Sequence, residues 1–135
     1  MTAIHRFLQV ATAADYSSAQ SIDCCGDVLT YGQLLVLVER FAADLHNKFG
    51  DKPVVSFISE NHPYVLISIL ATWLLGGVIA PLDYHAPEAL LRGMLEGVRP
   101  TCVILPDTAV GNIAIVEGTI RVQALILFNV LKIFF

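Results

Sequence analysis

Basic side chains are scarce in this chain. Eight lysines and arginines stand against twelve aspartates and glutamates, for a net charge of −4. The eight (Arg6, Arg40, Lys48, Lys52, Arg92, Arg99, Arg121 and Lys132) are scattered along the sequence and gather into no patch. Without a basic face to attract phosphates, a nucleic-acid partner is excluded as an expectation. Cysteine is scarce as well: Cys24, Cys25 and Cys102 make an odd count with no C-x-x-C spacing. That excludes a disulfide framework and a zinc site, and it points to a reduced, cytoplasmic compartment. The adjacent Cys24 and Cys25 leave two readings open, a strained vicinal disulfide or two ordinary thiols in a turn.

Phosphate-cradling loops are missing too. The sequence holds no G-x-x-x-x-G-K-[ST], no G-x-G-x-x-G and no Ser/Thr/Gly cluster ending in lysine. Such loops matter because several main-chain amides must converge on a phosphate, and only small residues permit that approach. The nearest glycine pair, Gly76-Gly77, has no Lys or Arg within ten residues on either side and reads as a helix stop. A G-x-S-x-G nucleophile elbow and an N-x-[ST] sequon are absent as well. The first sixteen residues, "MTAIHRFLQVATAADY", lack the long apolar core of a secretory signal.

Apolar side chains are abundant by contrast. Over 135 residues, 56% are hydrophobic, 15% are charged and the mean hydropathy is +0.68, so a single packed domain is expected and disorder is not. The stretch "IHRFLQVATAA" can form a short amphipathic helix, and "AQSIDCCGDVLTY" reads as two strands joined through a turn at Cys25, Gly26 and Asp27. Thr30 and Gln33 then form a T-x-x-Q capping box, which starts a helix at Tyr31. Its inward face is Leu34, Val38, Phe41, Leu45 and Phe49, while Glu39, Arg40, Asp44 and Lys48 remain for the solvent side. Gly50 and Pro53 end it.

"VVSFI", residues 54–58, has the β-branched density of a buried strand. Asn61 as cap and Pro63 in the first turn restart a helix that should run to about Gly76. "VIAPL" is a further short apolar run, Pro87 opens a third helix through about Gly97, and "TCVILP" is another strand. Strands alternating with helices imply parallel pairing, because parallel neighbours cannot be joined by a tight turn. The expected fold class is therefore α/β: an incomplete parallel-sheet β-α-β-α-β unit preceded by a short helix and a β-hairpin.

The succession "LTYGQLLVLVERFAADL", "VVSFISENHPYVLISILATWLLGGVIAPLDYHAP" and "VRPTCVILPD" resembles the amino-terminal portion of the adenylate-forming (AMP-binding) superfamily. That superfamily includes acyl-coenzyme A synthetases, nonribosomal peptide adenylation domains and luciferases. Thr30, Tyr31 and Leu34 resemble its "LTY-x-x-L" helix start, and residues 77–87 resemble its glycine and paired-proline segment, with Tyr84 where a further proline is common. The resemblance covers roughly residues 7–107. It implies residues 1–107 as the front of an adenylate-forming domain and residues 108–135 as a divergent apolar tail.

The full-length family uses ATP and Mg to turn a carboxylate into an acyl adenylate, and many members pass the acyl group to a thiol. The phosphate loop, the aromatic stretch under adenine, the ribose aspartate and the catalytic lysine have no counterpart in this sequence. No catalytic, cofactor-binding or metal residue is therefore assigned, no cofactor is expected for this chain, and the isolated chain is expected to be inactive.

Other residues carry weaker readings. Asp83 and His85 share one face of an extended segment and would suit a metal or a proton relay; capping of the Pro87 helix is the plainer role. His5, His46 and His62 are too far apart for a spaced ligand pair and read as surface or cap residues. Gly93 and Gly97 match small-x-x-x-small spacing, but Glu96 between them argues against membrane dimerisation. Residues 64–82 carry no charge and approach the length of about twenty needed to cross a bilayer, so a small membrane protein is the main rival. Gly76, Gly77 and Pro81 interrupt that stretch, which favours a buried helix followed by a strand. A truncated paralogue, with a partner protein covering exposed apolar faces, is the other rival.

The last stretch, "IRVQALILFNVLKIFF", is mostly apolar as a helix and lacks clean alternation as a strand. It reads as the unrelated tail of a prematurely ended longer gene, with an amphipathic membrane-surface helix as the alternative.

Overall fold

The computed structural model describes residues 4–6, 9, 20–24, 27–59, 62–120 and 124–128. Residues 4–6 and 9 are helical and Ile4 is buried; the remainder of the expected first helix lies outside the described residues. The hairpin forms as β1 (Gln20–Cys24) and β2 (Asp27–Thr30), antiparallel, with a register shift between Gln20 and Ile22. Its expected turn at Cys25 and Gly26, and with it any vicinal disulfide, lies outside the described residues.

Helix α1 (Tyr31–Phe49) starts at the expected capping box. The Gln33 amide donates to Thr30 Oγ1 at 3.2 Å, and the Thr30 amide donates to Gln33 Oε1 at 2.9 Å. Both bonds are exposed, so Thr30→Ala should lower the unfolding free energy by about 1 kcal/mol and Thr30→Ser should restore it. Urea midpoints measure both. At the far end the Gly50 amide donates to the His46 carbonyl at φ +74, a left-handed backbone that glycine adopts without Cβ strain. Inside, α1 buries Leu34, Leu37, Val38, Phe41, Ala42 and Leu45, with Phe49 partly buried against them.

The remaining elements run β3 (Val54–Phe57), α2 (Pro63–Leu74), β4 (Val78–Ile79), α3 (Glu88–Val98), β5 (Cys102–Pro106), α4 (Val110–Thr119) and β6 (Ala124–Phe128). The four strands form one parallel sheet in the order β4-β3-β5-β6. The expected β-α-β-α-β unit is therefore present as β3-α2-β4-α3-β5. Helices cover both faces. Cys102, Ile104, Val55 and Ile126 point into a cluster with α1 and α2, whereas Val103, Leu105, Ile58 and Leu125 pack with Leu91 and Leu95 of α3 and Val116 of α4. Adjacent strand residues thus enter opposite cores, the period-two consequence of the pleat.

Residues 64–82 are divided as the glycine pair suggested: α2 ends at Leu74 and the chain turns at Gly76 and Gly77 into β4. Among the described residues no helix is long and apolar enough to cross a membrane, which disfavours the membrane rival. Two expectations need correction. First, α2 is capped by His62, whose Nδ1 accepts from the Tyr64 amide at 3.2 Å; Asn61 lies outside the described residues. Second, the apolar stretch after Ile120 contributes β6, paired in register with β5 from Cys102↔Ala124 to Pro106↔Phe128. Alternation is missing from β6 because Leu125 and Ile126 serve two different cores, as strands of a doubly covered parallel sheet do.

Buried hydroxyls on α2 are satisfied locally. Ser68 Oγ donates to the Tyr64 carbonyl at 2.6 Å and Thr72 Oγ1 to the Ser68 carbonyl at 2.7 Å. Ser56 Oγ, buried within β3, has no hydrogen-bond partner among the described residues.

Candidate functional site

In an open parallel sheet, ligands favour the carboxyl ends of the strands at the point where successive connections leave in opposite directions. Here β3 connects through α2 to β4 on one side, and β5 connects through α4 to β6 on the other. The candidate crevice is therefore the carboxyl end of the sheet between β3 and β5. Ile58 and Ser59 follow β3 there and Asp107 and Thr108 follow β5, shortly before α2 and α4 begin, with Ile58 and Pro106 buried.

Side chains around this end are committed to shaping the backbone. The rings of His62 and Tyr64 stack with centroids 5.4 Å apart, over the turn that His62 caps. On the neighbouring connection, Asp83 Oδ1 accepts from the His85 amide at 2.9 Å, and the Asp83 carbonyl accepts from the Ala86 amide at 3.2 Å. The structure thus brings Asp83 and His85 together in a turn. The capping role expected for them is absent, because Pro87 is the N-cap of α3 and makes no side-chain cap bond. Among the described residues there is no group of three metal-ligating side chains.

The opposite end of the sheet carries a groove of about 470 Å³ lined by Glu96, Arg99, Pro100, Thr119 and Ile120. It sits where α3 and α4 finish, so the carbonyl ends of two helices face it and disfavour an anion. Arg99 follows α3 with a left-handed φ of 49°, placing a cation at that helix's negative end. Arg92 is engaged: it donates to Glu88 at 2.6 Å and to Thr119 at 2.7 Å, tying α3 to α4.

The remaining residues singled out in the sequence occupy structural positions. Gly93 and Gly97 face open space: among the described residues, nothing beyond the adjacent backbone of α3 itself lies within 4 Å of where a methyl group on either would sit. His46 pairs with Asp51 at 3.1 Å, and Cys102 is a buried free thiol. His62 takes the cap position that was one of the two roles read for it in the sequence. Sequence reasoning missed the Arg92 bridge, because the Arg92 to Thr119 contact spans 27 residues that only the fold brings together. Among the described residues, neither end of the sheet assembles convergent amides with a lysine, the equipment for holding a triphosphate.

Relatives place this geometry. Hispidin synthase from Neonothopanus nambi is 38% identical over 111 residues, which is 82% of this chain and 7% of that protein. Cyclochlorotine synthetase from Talaromyces islandicus is 31% identical over 103 residues, 76% of this chain and 2% of that protein. A benzoate CoA ligase from Burkholderia xenovorans superposes with a TM-score of 0.84 at 17% identity, covering 97% of this chain and 27% of that one. The NpsA N-terminal subdomain from Klebsiella oxytoca superposes with a TM-score of 0.70 at 18% identity, covering 90% of this chain and 32% of that one. The chain therefore spans less than a tenth of those two biosynthetic proteins and about a third or less of those two solved structures. The family profile of AMP-binding enzymes matches residues 10–130, through β6 and beyond the boundary at residue 107 that the sequence motifs suggested. With nearly the whole chain inside that match and the same α/β layers in its solved neighbours, this protein belongs to the AMP-binding enzyme family.

Proposed function

We propose that this chain is the amino-terminal α/β part of an ATP-dependent carboxylate-activating enzyme, and that it does not catalyse adenylation alone. The family match over residues 10–130 carries the first half of this reading. The second half rests on chemistry. In the full reaction a carboxylate oxygen attacks the α-phosphorus of ATP and pyrophosphate departs, with Mg offsetting the phosphate charge. Donors must already surround the triphosphate for this step to proceed. This sequence has no glycine-rich loop ending in lysine, and its Arg92 is held by Glu88 and Thr119. The contribution of this chain is the packed sheet on which the rest of such an enzyme is built. The buried free thiol of Cys102 suits the reducing, cytoplasmic setting that belongs to the same proposal.

The test is carboxylate-dependent exchange of pyrophosphate into ATP. The isolated chain should stay at the no-protein baseline with any carboxylate. A chimera in which this chain replaces the matched 111-residue segment of the Neonothopanus nambi hispidin synthase should exchange above that baseline. Exchange by the isolated chain would overturn the reading.

A further inference from the structure

Of helices α1 to α4, only α2 has its first turn closed by an imidazole. Pro63, at its first position, has no amide hydrogen to place. The Tyr64 amide donates to His62 Nδ1 at 3.2 Å, and the Val65 amide donates to the His62 carbonyl at 2.9 Å. His62 therefore receives the first two amides that the helix offers. Its backbone is extended, at φ −152° and ψ 149°, as a cap requires. The ring is held in place by stacking: its plane lies 15° from that of Tyr64, which is itself buried in the core shared with α1 and β3.

An accepting Nδ1 fixes the state of the ring, which is neutral with its proton on Nε2. In the imidazolium both nitrogens carry hydrogen, so turning the ring over recovers no acceptor. The positive charge would also lie at the positive end of the helix. A serine cap keeps its acceptor throughout. We propose that His62 is a proton-operated latch on the first turn of α2: the neutral ring holds the turn closed at the carboxyl end of β3, and protonation at Nδ1 releases it. Imidazoles gain their charge between about pH 5 and 8, so the latch works within that window. It does not depend on the functional reading above. The neighbouring ionisable groups are Tyr64 on its own helix, Asp107 after β5, and Asp83 and His85 on the connection from β4 to α3. On the core side, Tyr31 of α1 and Ile4, which is flanked by His5 and Arg6, join the cluster that holds Tyr64. Of these, His5 and His85 titrate over the same window, so the test must cancel them.

Urea unfolding of the wild type, His62→Ala and His62→Ser at about pH 7.5 and about pH 5 does so, because His5, His46 and His85 are present in all three proteins. At the higher pH the folding equilibrium constant of the wild type should exceed that of His62→Ala by about fivefold, the loss typical of removing a cap. At the lower pH that ratio should fall to one or below. His62→Ser should keep its advantage over His62→Ala at both. In the wild type alone, nitrogen-15 shifts of the His62 ring, assigned through the backbone, should show at the higher pH a bare Nδ1 and a protonated Nε2. The Tyr64 amide should exchange about fivefold faster at the lower pH once the intrinsic rate is divided out.

A ratio of wild type to His62→Ala that is the same at both pH values would overturn the proposal. So would a ratio of His62→Ser to His62→Ala that falls in step with the wild-type one, since the loss would then belong to another group. Hydrogen on Nδ1 at the higher pH, or protection of the Tyr64 amide that does not change with pH, would overturn it as well. These last two measurements need only the wild type, so a variant that fails to fold leaves the question decidable.

Discussion

Replacing Gly77 with alanine is expected to lower the unfolding free energy by about 3 kcal/mol, the upper part of the range for overpacking a closed site. A methyl group there would lie 2.4 Å from the Pro53 carbonyl oxygen, 2.9 Å from Pro53 Cδ and 3.0 Å from Thr72 Cγ2. None of these can retreat cheaply. The Pro53 carbonyl already accepts the Val78 amide at 2.9 Å, which is the bond that starts β4 beside β3, and the Gly77 amide donates to the Thr72 carbonyl at 2.9 Å. The strain would therefore fall on the corner that turns α2 into the sheet. Gly93 is the control: a methyl there would meet open space, the residue is helical, and Gly93→Ala should stabilise by roughly 0.5–1 kcal/mol. Urea unfolding of the two variants beside the wild type decides the matter. A Gly77→Ala midpoint indistinguishable from wild type would show that the corner is not closed as described.

That corner also shows how far the sequence could be read. Gly76 and Gly77 were legible as a stop because an uncharged helix ran into two glycines, and the stop is what separates α2 from β4. The T-x-x-Q box at Thr30 was legible for a similar reason, since both of its bonds join residues three apart. Local signals failed where the decisive partner was distant. Strand β6 looked irregular because its alternation is erased by burial on two sides, a property of the sheet and not of the segment. Helix α4 has Ala109 at its cap with no side-chain bond, so nothing marks its start. The candidate crevice between β3 and β5 was invisible for the same reason. It is defined by the order β4-β3-β5-β6, and a sequence lists strands without saying which are neighbours. The missing phosphate loop, by contrast, needed only the sequence, because its glycines and lysine must be contiguous to work.

The largest chemical effect is expected at Cys102. Its side chain lies in the core between the sheet and the α1 and α2 layer, with no exposed surface. Burial pushes its thiol from 9.0 up to about 12, opposed weakly by the charge of Lys48. A folded pKa above the unfolded one means the native state holds the proton more tightly. This contribution is therefore intact below about pH 9, falls by about 1.4 kcal/mol per pH unit above it, and levels off near pH 12 after a loss of about 4 kcal/mol. Tyr64 shifts in the same direction through burial, so the wild type alone would mix the two groups. Comparing Cys102→Ala with the wild type isolates the thiol: between pH 9 and pH 11 the urea midpoint of the wild type should fall more steeply than that of the variant. Reactivity reads the same shift directly. In a Cys24→Ser, Cys25→Ser background, where Cys102 is the only thiol, alkylation at pH 8 should be about a thousandfold slower in the folded protein than in urea, because the thiolate fraction drops by that factor. Equal rates in the two conditions would place Cys102 at a surface and would remove β5 from the centre of the sheet.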